Sequence, residues 1–461
     1  MKNDMHDVAH CIELMTGKNL PGSVSISDNG ITARIYGYDE SFHINSDCPI
    51  FLRTENNDIV SLHDNIGGPP GHSSRSLPSR MICFRLDVVG NIAVVGHDAW
   101  TDSDRVRRAT FSIRHSDQIV RNRKKFDAIG ATRFPDDDDL TIYRDQVGGL
   151  SLSAHYAVTY GMDFKAPKSL HPQFSIEFDS AMSVHNYIEY VSNYTRFFSF
   201  CLGAPLTPSD FHISRLSYEE MVAAMQAHTY PGNHRVHYVW SEREIDANDL
   251  WVGGSPVSAW DDAELSAFRA CLIKWMERLQ CWRKAYALMD VCLGRRREIS
   301  SERLVNTCRW FEEIPLTAPK QVISDEDINA IAKIAAQTAT TRGLSSDIAP
   351  RITGAIKRIK AETADEQFRR LVKMVQGKFG PECLPDTSVA HLKKAMAFRG
   401  KTAHGHYSPE DEVEFRAFAK AIMALEALCL LLTAYDLPIN DEGLKRMQSN
   451  PLIRDYRLAY D

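Results

Sequence analysis

The chain has 461 residues, which is enough for two or three domains. Its residues are 44% hydrophobic and 25% charged, fractions that are ordinary for a globular protein. The net charge of −6 excludes nucleic-acid binding by bulk charge, so any such binding needs a local basic patch.

Cysteines and apolar runs limit the class of protein further. The ten cysteines are scattered and form no CxxC pair, which excludes a zinc ribbon or a thioredoxin motif and favours a reducing compartment. The N-terminal segment has no continuous apolar stretch of the kind found in signal peptides. The most apolar run, residues 427–432, is too short to span a bilayer. We therefore predict a soluble, cytoplasmic protein without a membrane partner.

The first half of the sequence predicts β-structure. Apolar residues alternate with polar ones over residues 24–26 and again over 31–35, and the turn residues 28–30 between them predict a hairpin. The alternation returns over residues 82–88, where Gly90-Asn91 predicts a turn before the next strand.

A helix is predicted over residues 180–202. Its end is predicted at Gly203, because glycine is a typical stop signal. Short strands are predicted on either side of it, at 174–178 and 236–240. The acidic run 136–139 predicts an exposed turn, and its spacing gives little reason to propose a metal site.

From about residue 261 the apolar period becomes helical. Apolar residues recur every three or four positions from Leu265 to Leu293, which predicts one long unbroken helix. Further core-facing helices are predicted at 304–311, from a cap at Ser324 through Ile334, over 352–375, over 389–396 and over 415–432. The prediction is thus an α+β protein, with a β-rich region over 1–255 followed by an all-α bundle of six or so helices over 256–461.

The segment FRGKTAHGHYSPED carries the most distinctive pair of residues. Arg399 and His404 are five positions apart, which on an unbroken helix would turn them roughly 140° away from each other. Gly400 and Gly405 are poor interior helix residues, and residues 408–411 read as the start of the next helix, with Ser408 as its N-cap. We therefore predict a helix junction at which the two side chains converge.

An arginine and a histidine held together would suit cleavage of RNA without a metal. Histidine exchanges protons near neutral pH, and a guanidinium group can bind two oxygens of the transition state. Spacing alone does not decide this, because such a pair occurs about once by chance in a chain of this length. The alternative is an exposed arginine and a hydrogen-bonded histidine.

An all-α domain with Arg-x4-His before its final long helix resembles the HEPN superfamily (higher eukaryotes and prokaryotes nucleotide-binding), many of whose members are metal-independent ribonucleases. The segment SERLVNTCRWFEEI is similar to a HEPN helix with an early arginine, Arg303, and a later glutamate, Glu312. The N-terminal half resembles the ApeA N-terminal domain, which precedes HEPN domains in bacterial anti-phage proteins, through MTGKNLPGSVSI, SFHINSDCPIFLRTENNDIVSLHDN and NYTRFFSFCLGAPLTPSDFHIS. The Asn or Asp that usually follows the HEPN arginine is replaced by Gly400.

The HEPN resemblance implies roles for three residues. His404 would be the general acid/base, Arg399 would bind the phosphate, and Glu312 would orient one of them from a neighbouring helix. It also implies a homodimer with a composite site, and neither a metal nor another cofactor.

Basic and aromatic residues beside the motif are candidates for binding RNA. They are Lys393, Lys394, Lys401, His406 and Tyr407. For His406 the alternative is hydrogen bonding within a loop, and for Tyr407 it is partly buried packing. The cluster Arg295 to Arg297 is a weaker candidate, because it could be a solvated helix end.

The leading hypothesis is an RNA endonuclease of anti-phage defence, acting by abortive infection and gated by the N-terminal region. Transfer RNA is a candidate substrate, and a phage-derived molecule is a candidate trigger. A second hypothesis is a non-catalytic protein whose HEPN-like bundle dimerises or binds nucleotide or RNA. A third makes the β-rich half a carbohydrate- or peptide-binding module, although no paired carboxylates or metal ligands support it.

Overall fold

The structure, a computed structural model, describes residues 5–12, 19–27, 30–37, 49–64, 66–67, 84–131, 135–160, 167–239, 250–251, 254–403 and 407–460. It confirms the predicted fold class, since the strands precede residue 239 and helices alone make up the named elements after residue 261. The chain forms two compact units. The sheet unit comprises Met1–Phe198, Leu206–Asp246 and Ala259–Arg269, and the helical unit comprises Ser199–Pro205, Ala247–Ser258 and Ala270–Asp461.

The described strands form one antiparallel sheet with the spatial order β10-β11-β12-β9-β13-β14-β8-β5-β4-β1-β2-β3-β7-β6. Their bounds are β1 Met5–Ile12, β2 Asn19–Ser27, β3 Gly30–Gly37, β4 Ile50–Thr54, β5 Ile59–His63, β6 Ile66–Gly67, β7 Phe84–Gly90, β8 Ile92–Gly96, β9 Val106–Ile113, β10 Thr141–Val147, β11 Leu150–Tyr160, β12 Pro167–Met182, β13 Pro208–Ser214 and β14 His234–Tyr238.

The predicted hairpin is confirmed as β2 and β3. Ser27 pairs with Gly30 and Ile26 with Ile31, so the alternating apolar residues of both strands share one buried face. The connecting residues 28–29 lie outside the described residues, as does the beginning of the predicted strand at residue 82. Gly90-Asn91 does not close a hairpin, because β7 pairs with β3 and β6 whereas β8 pairs with β5 and β14.

The predicted helix over 180–202 is α3, Val184–Leu202. It begins four residues later than predicted, because β12 continues through Met182. It ends as predicted at Gly203, whose φ of +64° is the left-handed conformation that favours glycine. The strand predicted at 236–240 is found as β14, His234–Tyr238, and residue 240 lies outside the described residues.

The helices before and within the C-terminal half are α1 Arg123–Ala131, α2 Asp137–Leu140, α3 Val184–Leu202, α4 Tyr218–Gln226, α5 Asp262–Glu277, α6 Leu279–Gly294, α7 Ser301–Glu313, α8 Asp325–Thr341, α9 Ile348–Arg358, α10 Ala364–Phe379, α11 Ser388–Ala403, α12 Glu412–Ala434, α13 Asp441–Met447 and α14 Pro451–Tyr460. The acidic run predicted as a turn is therefore the single-turn helix α2, closed by a capping box between Asp136 and Asp139.

The prediction of one unbroken helix from Leu265 to Leu293 is wrong. The chain bends at Arg278 between α5 and α6, and the rings of Trp275 and Tyr286 stack with centroids 3.7 Å apart. On a straight helix these residues would lie about 16 Å apart along the axis. The Arg278 side chain holds the bend, since it donates to the Tyr286 hydroxyl over 2.6 Å and also binds Asp436.

Two further helix predictions need correction. The stretch predicted as one helix over 352–375 belongs to two helices, α9 and α10, so the described C-terminal half has ten helices instead of about six. Helix α8 does begin at its predicted cap, Ser324, but of its three isoleucines, Ile328, Ile331 and Ile334, only Ile328 is buried. Ile331 and Ile334 are exposed, because α8 and α9 pack chiefly against each other.

The core of the helical unit is α12. Among the described residues it is the one helix long and apolar enough to cross a membrane, and 78% of its most apolar window is buried inside the protein. Residues 427–432, which alone are too short to span a bilayer, are thus part of a 23-residue helix. Such burial is typical of the core helix of a soluble protein.

Candidate functional site

The motif arginine lies on a continuous helix. Arg399 belongs to α11, which runs through Gly400 to Ala403, so the prediction that Gly400 breaks the helix is wrong. A side chain at Gly400 would meet no atom within 4 Å, which shows that this glycine serves no close contact among the described residues. His404 and His406 lie outside the described residues, so the convergence of Arg399 and His404 stays a prediction.

Arg399 faces Glu312 of α7. The Nη1 atom of Arg399 lies 2.5 Å from Oε1 of Glu312, and Nη2 lies 3.1 Å from Oε2, so the pair is bidentate. The two side chains are 41% and 47% exposed. The structure therefore brings together two of the three residues predicted to be catalytic, at a surface that a solute can reach.

A buried cysteine, Cys308, lies near this pair and is unreactive. Cys308 lies one helical turn before Glu312 on α7 and is fully buried. Burial raises the pKa of its thiol to about 12, while the nearby Arg399 acts in the opposite direction. The cysteine beside the pair is consequently a neutral packing residue at physiological pH.

Arg303, the other charged residue of this helix that the HEPN resemblance singled out, lies elsewhere. It is buried and forms an ion pair with Glu426 of α12. Sequence reasoning missed Glu426, although a carboxylate directly before the most apolar run of the chain is itself a signal that a buried cation must be near.

Tyr407 follows the motif and is held by several contacts. Its ring packs against Phe398 and Phe418 with centroid distances of 5.3 and 5.5 Å. Its carbonyl oxygen accepts a hydrogen bond of 2.5 Å from the Ser301 hydroxyl, which ties it to α7. Burial and then the carboxylate of Glu414 raise the pKa of the Tyr407 phenol. Stacking of Tyr407 on an RNA base stays a prediction. The packing against Phe398 and Phe418 would limit how far the ring could turn towards a base.

Glu414 organises the start of α12. Its carboxylate accepts the backbone N–H of Glu410 over 2.9 Å and lies 3.4 Å from Nζ of Lys401. Its own backbone N–H is capped by Asp411 over 2.7 Å. The helix cap is therefore Asp411 and not Ser408 as predicted, because Asp411 is the residue whose side chain reaches the third N–H of α12.

The lysines of α11 differ in their surroundings. Nζ of Lys393 lies 2.8 Å from the Asp365 carboxylate, whereas Lys394 is exposed and forms no ion pair with any described residue. Lys401 is shared between Glu414 and the ring of Tyr407, whose centroid is 5.1 Å from Nζ. Lys394 is thus the lysine of α11 with the most available charge.

Two arginines of the second basic cluster, Arg295 and Arg296, are engaged in ion pairs. Arg295 binds Glu302 and lies 3.7 Å from Glu298, and Arg296 lies 3.9 Å from Asp455. In the described parts of the chain, no group of three or more His, Cys, Asp and Glu side chains is arranged to hold a metal ion.

Comparison with known proteins identifies the N-terminal half. Residues 16–248, about half of the chain, match the family model described as ApeA N-terminal domain 1. No curated protein matches the chain. No solved structure matches it. The family match therefore supports the ApeA part of the resemblance, and the HEPN part depends on the residues of the helical unit.

Proposed function

Because the chain belongs to the ApeA N-terminal domain 1 family, which the resemblance links to anti-phage defence, we propose that it is a metal-independent RNA endonuclease of abortive infection. The helical unit would cut the RNA, and the family-matched sheet unit would gate this activity in response to a phage-derived trigger. The observation that carries the proposal is the bidentate contact of Arg399 with Glu312, which fixes a guanidinium group at an accessible surface five residues before His404.

The proposed reaction needs no group beyond these side chains. His404 would accept the proton of the ribose 2′-hydroxyl as its oxygen attacks the adjacent phosphorus, and would return that proton to the leaving 5′-oxygen. The P–O5′ bond would break, leaving a 2′,3′-cyclic phosphate and a 5′-hydroxyl end. Arg399 would stabilise the charge that develops on the phosphate oxygens. Two of its N–H groups point at Glu312, which leaves others for the substrate.

The surface around the motif supports a homodimer. Val413 and Phe415, in the first turn of α12, are 77% and 44% exposed although both are apolar. They flank Glu414, which binds Lys401 two residues after Arg399. An apolar surface beside a charged site favours coverage by another protein surface. We propose that a second copy of this chain covers it and so places two motifs near each other.

One observation favours the non-catalytic alternative. The Arg399–Glu312 pair is complete without a ligand, as a structural surface ion pair would be. In that case the helical unit would serve for dimerisation or for binding nucleotide or RNA, and the loss of His404 would have no effect on RNA.

The test is cleavage of total bacterial RNA, transfer RNA included, in EDTA, using protein purified from phage-infected and uninfected cells. Wild type is compared with Arg399→Ala, His404→Ala and the control Arg416→Ala, whose arginine is an exposed residue of α12 paired with Glu412. We expect discrete cuts with cyclic-phosphate ends from wild type and from the control alone. Equal cutting by all four proteins, or no cutting by wild type from infected cells, would contradict the proposal.

A further inference from the structure

The sheet unit carries a group of polar side chains on one face of its sheet. Strand register places Arg108 of β9 opposite Glu177 of β12 and opposite Ser214 of β13. Two residues further along β9, Thr110 lies opposite Ser175 of β12, which in turn lies opposite Ser153 of β11. We call this set the Arg108 patch, and its members are Arg108, Thr110, Ser153, Ser175, Glu177 and Ser214.

This patch is recessed, as its small residues show. Ser153, Ser175 and Ser214 are buried, although they lie on the face opposite to the apolar residues of the same strands. Ser112, the next residue of β9 on the patch side, is 8% exposed, and its hydroxyl has no hydrogen-bond partner among the described residues. A buried hydroxyl without a protein partner is uncommon, and the Ser112 hydroxyl can therefore donate to a bound group.

Arg108 itself is poorly satisfied. One of its N–H groups points at the thioether sulfur of Met221 over 3.2 Å, and another reaches the hydroxyl of Ser175 over a long 3.4 Å. Its guanidinium carbon lies 5.0 Å from the ring centroid of Tyr218. No carboxylate of the described residues lies within ion-pair distance of it, and burial lowers the pKa of Arg108. A half-buried guanidinium with five N–H donors ordinarily has an anionic partner.

The nearby carboxylates are committed to other groups. Glu177 accepts the backbone N–H of Tyr218 over 2.8 Å at the start of α4. Asp137 accepts the Tyr218 hydroxyl over 3.2 Å and lies 3.5 Å from the guanidinium of Arg144. Their charges are thus partly compensated, and the cation of Arg108 has no carboxylate of the described residues within ion-pair distance, although Glu177 lies opposite it across the strands.

We propose that the Arg108 patch binds a phosphate group of a small ligand of the nucleotide class. A guanidinium fork fits two phosphate oxygens, and neighbouring hydroxyls such as Ser175 can donate to a third. Tyr218 adds an aromatic ring beside Arg108 on which a base can pack. This inference concerns binding by the sheet unit and does not depend on the proposed nuclease activity.

The test is isothermal titration of the full-length protein with ATP, inorganic pyrophosphate and adenosine as separate probes. The variants are Arg108→Gln, Arg108→Lys and the control Arg114→Gln, which alters an exposed arginine just after the same strand. We expect ATP to bind wild type and the control equally, Arg108→Gln to weaken binding at least tenfold, and Arg108→Lys to lie between them. If pyrophosphate binds as tightly as ATP, the ligand is recognised by its phosphates alone, which still supports the patch as a phosphate site.

Thermal melting provides a second readout that also reports folding. ATP should raise the melting temperature of wild type and of Arg114→Gln but not that of Arg108→Gln. Arg108→Gln alone should melt at or above the wild-type temperature, because it removes a poorly satisfied buried cation. Absence of binding by every phosphate probe, or an unchanged affinity in Arg108→Gln, would overturn the proposal. Binding of adenosine alone would overturn it as well.

Discussion

Arg303 of α7 and Glu426 of α12 form a bidentate ion pair in the core of the helical unit, with 2.8 Å between Nε and Oε1 and 2.6 Å between Nη2 and Oε2. Neither side chain is more than 1% exposed. The remaining groups of the pair are also satisfied, since Arg303 donates to the carbonyl of Glu298 over 2.7 Å and Glu426 accepts from Thr307 over 3.2 Å. This network fixes α7, and with it Glu312, against the core helix.

Removing one partner of this pair should strongly destabilise the helical unit. Arg303→Met would leave the Glu426 carboxylate buried without its cation, which costs about 3–5 kcal/mol. The double variant Arg303→Met/Glu426→Leu should recover most of that loss, because no charge then remains in the core. Urea unfolding followed by circular dichroism measures both effects. Equal stability of the single variant and wild type would show that the pair is not buried as described.

Much of this architecture follows from sequence periodicity, and its failures have physical causes. Alternation of period 2 located the hairpin of β2 and β3 correctly, because one face of those strands is buried. The pairing of β8 with β5 and β14 could not be predicted, since it joins strands far apart in the chain. The bend at Arg278 was hidden because the apolar stripe keeps its period through the break.

The candidate site was predictable only in part. The spacing of the motif drew attention to Arg399 and the HEPN resemblance to Glu312, and the structure places the two side chains in contact. Neither gave an indication of Glu426 or Glu414, because each acts through a tertiary contact, and a carboxylate beside an apolar run indicates a buried cation without indicating which one. Whether His404 joins Arg399 stays a prediction, since that histidine lies outside the described residues.

If Glu312 orients Arg399, its loss should affect RNA cleavage far more than stability. The pair is exposed, so Glu312→Gln should change the free energy of unfolding by less than about 1 kcal/mol. Cleavage should fall at least tenfold, because the guanidinium loses its fixed orientation. The matched control is Glu313→Gln, which changes the next residue of the same helix. The Glu313 carboxylate lies 3.6 Å from Nζ of Lys284 of α6. Equal cleavage activity of the two variants would show that Glu312 has no role in orienting Arg399.

The two adjacent lysines of α11 should contribute unequally to RNA binding. Lys394 has no ion pair among the described residues, whereas Lys393 is held by Asp365. Loss of one lysine that neutralises a phosphate of single-stranded RNA reduces the magnitude of the slope of log K against log salt by roughly 0.7. We expect Lys394→Gln to reduce this magnitude by about that amount and Lys393→Gln by less. Filter binding with catalytically inactive His404→Ala protein at several salt concentrations measures this, and the reverse order would contradict it.

The apolar stripe of α8 should behave differently at its two ends. Ile328 is 3% exposed and Ile334 is 64% exposed, although both belong to the same helical repeat. Ile328→Ala should cost about 2–4 kcal/mol, because it opens a cavity. Ile334→Ala should change stability by less than about 0.5 kcal/mol. Thermal unfolding of the two variants distinguishes them, and a large loss from Ile334→Ala in the monomer would mean that α8 packs differently.

Acid should destabilise the sheet unit partly through His237. Burial, followed by the charges of Arg235 and His212, lowers the pKa of His237 from 6.5 to about 4. Below pH 6.5 the unfolded chain binds a proton at this residue that the folded chain does not bind. The neutral imidazole therefore contributes stability that is complete above that pH and is lost as the pH falls towards 4.

His237→Gln removes this titration, so the melting temperature should decline less steeply between pH 6.5 and 4 than it does in wild type. His97→Gln is the matched control, because His97 lies in the same unit but is 83% exposed. Its melting curve should follow wild type across the whole range. The buried His63 and His234, whose pKa values burial also lowers, remain in both variants and preserve part of the acid dependence. Parallel slopes for wild type and His237→Gln would mean that His237 is solvated and titrates as it does in the unfolded chain.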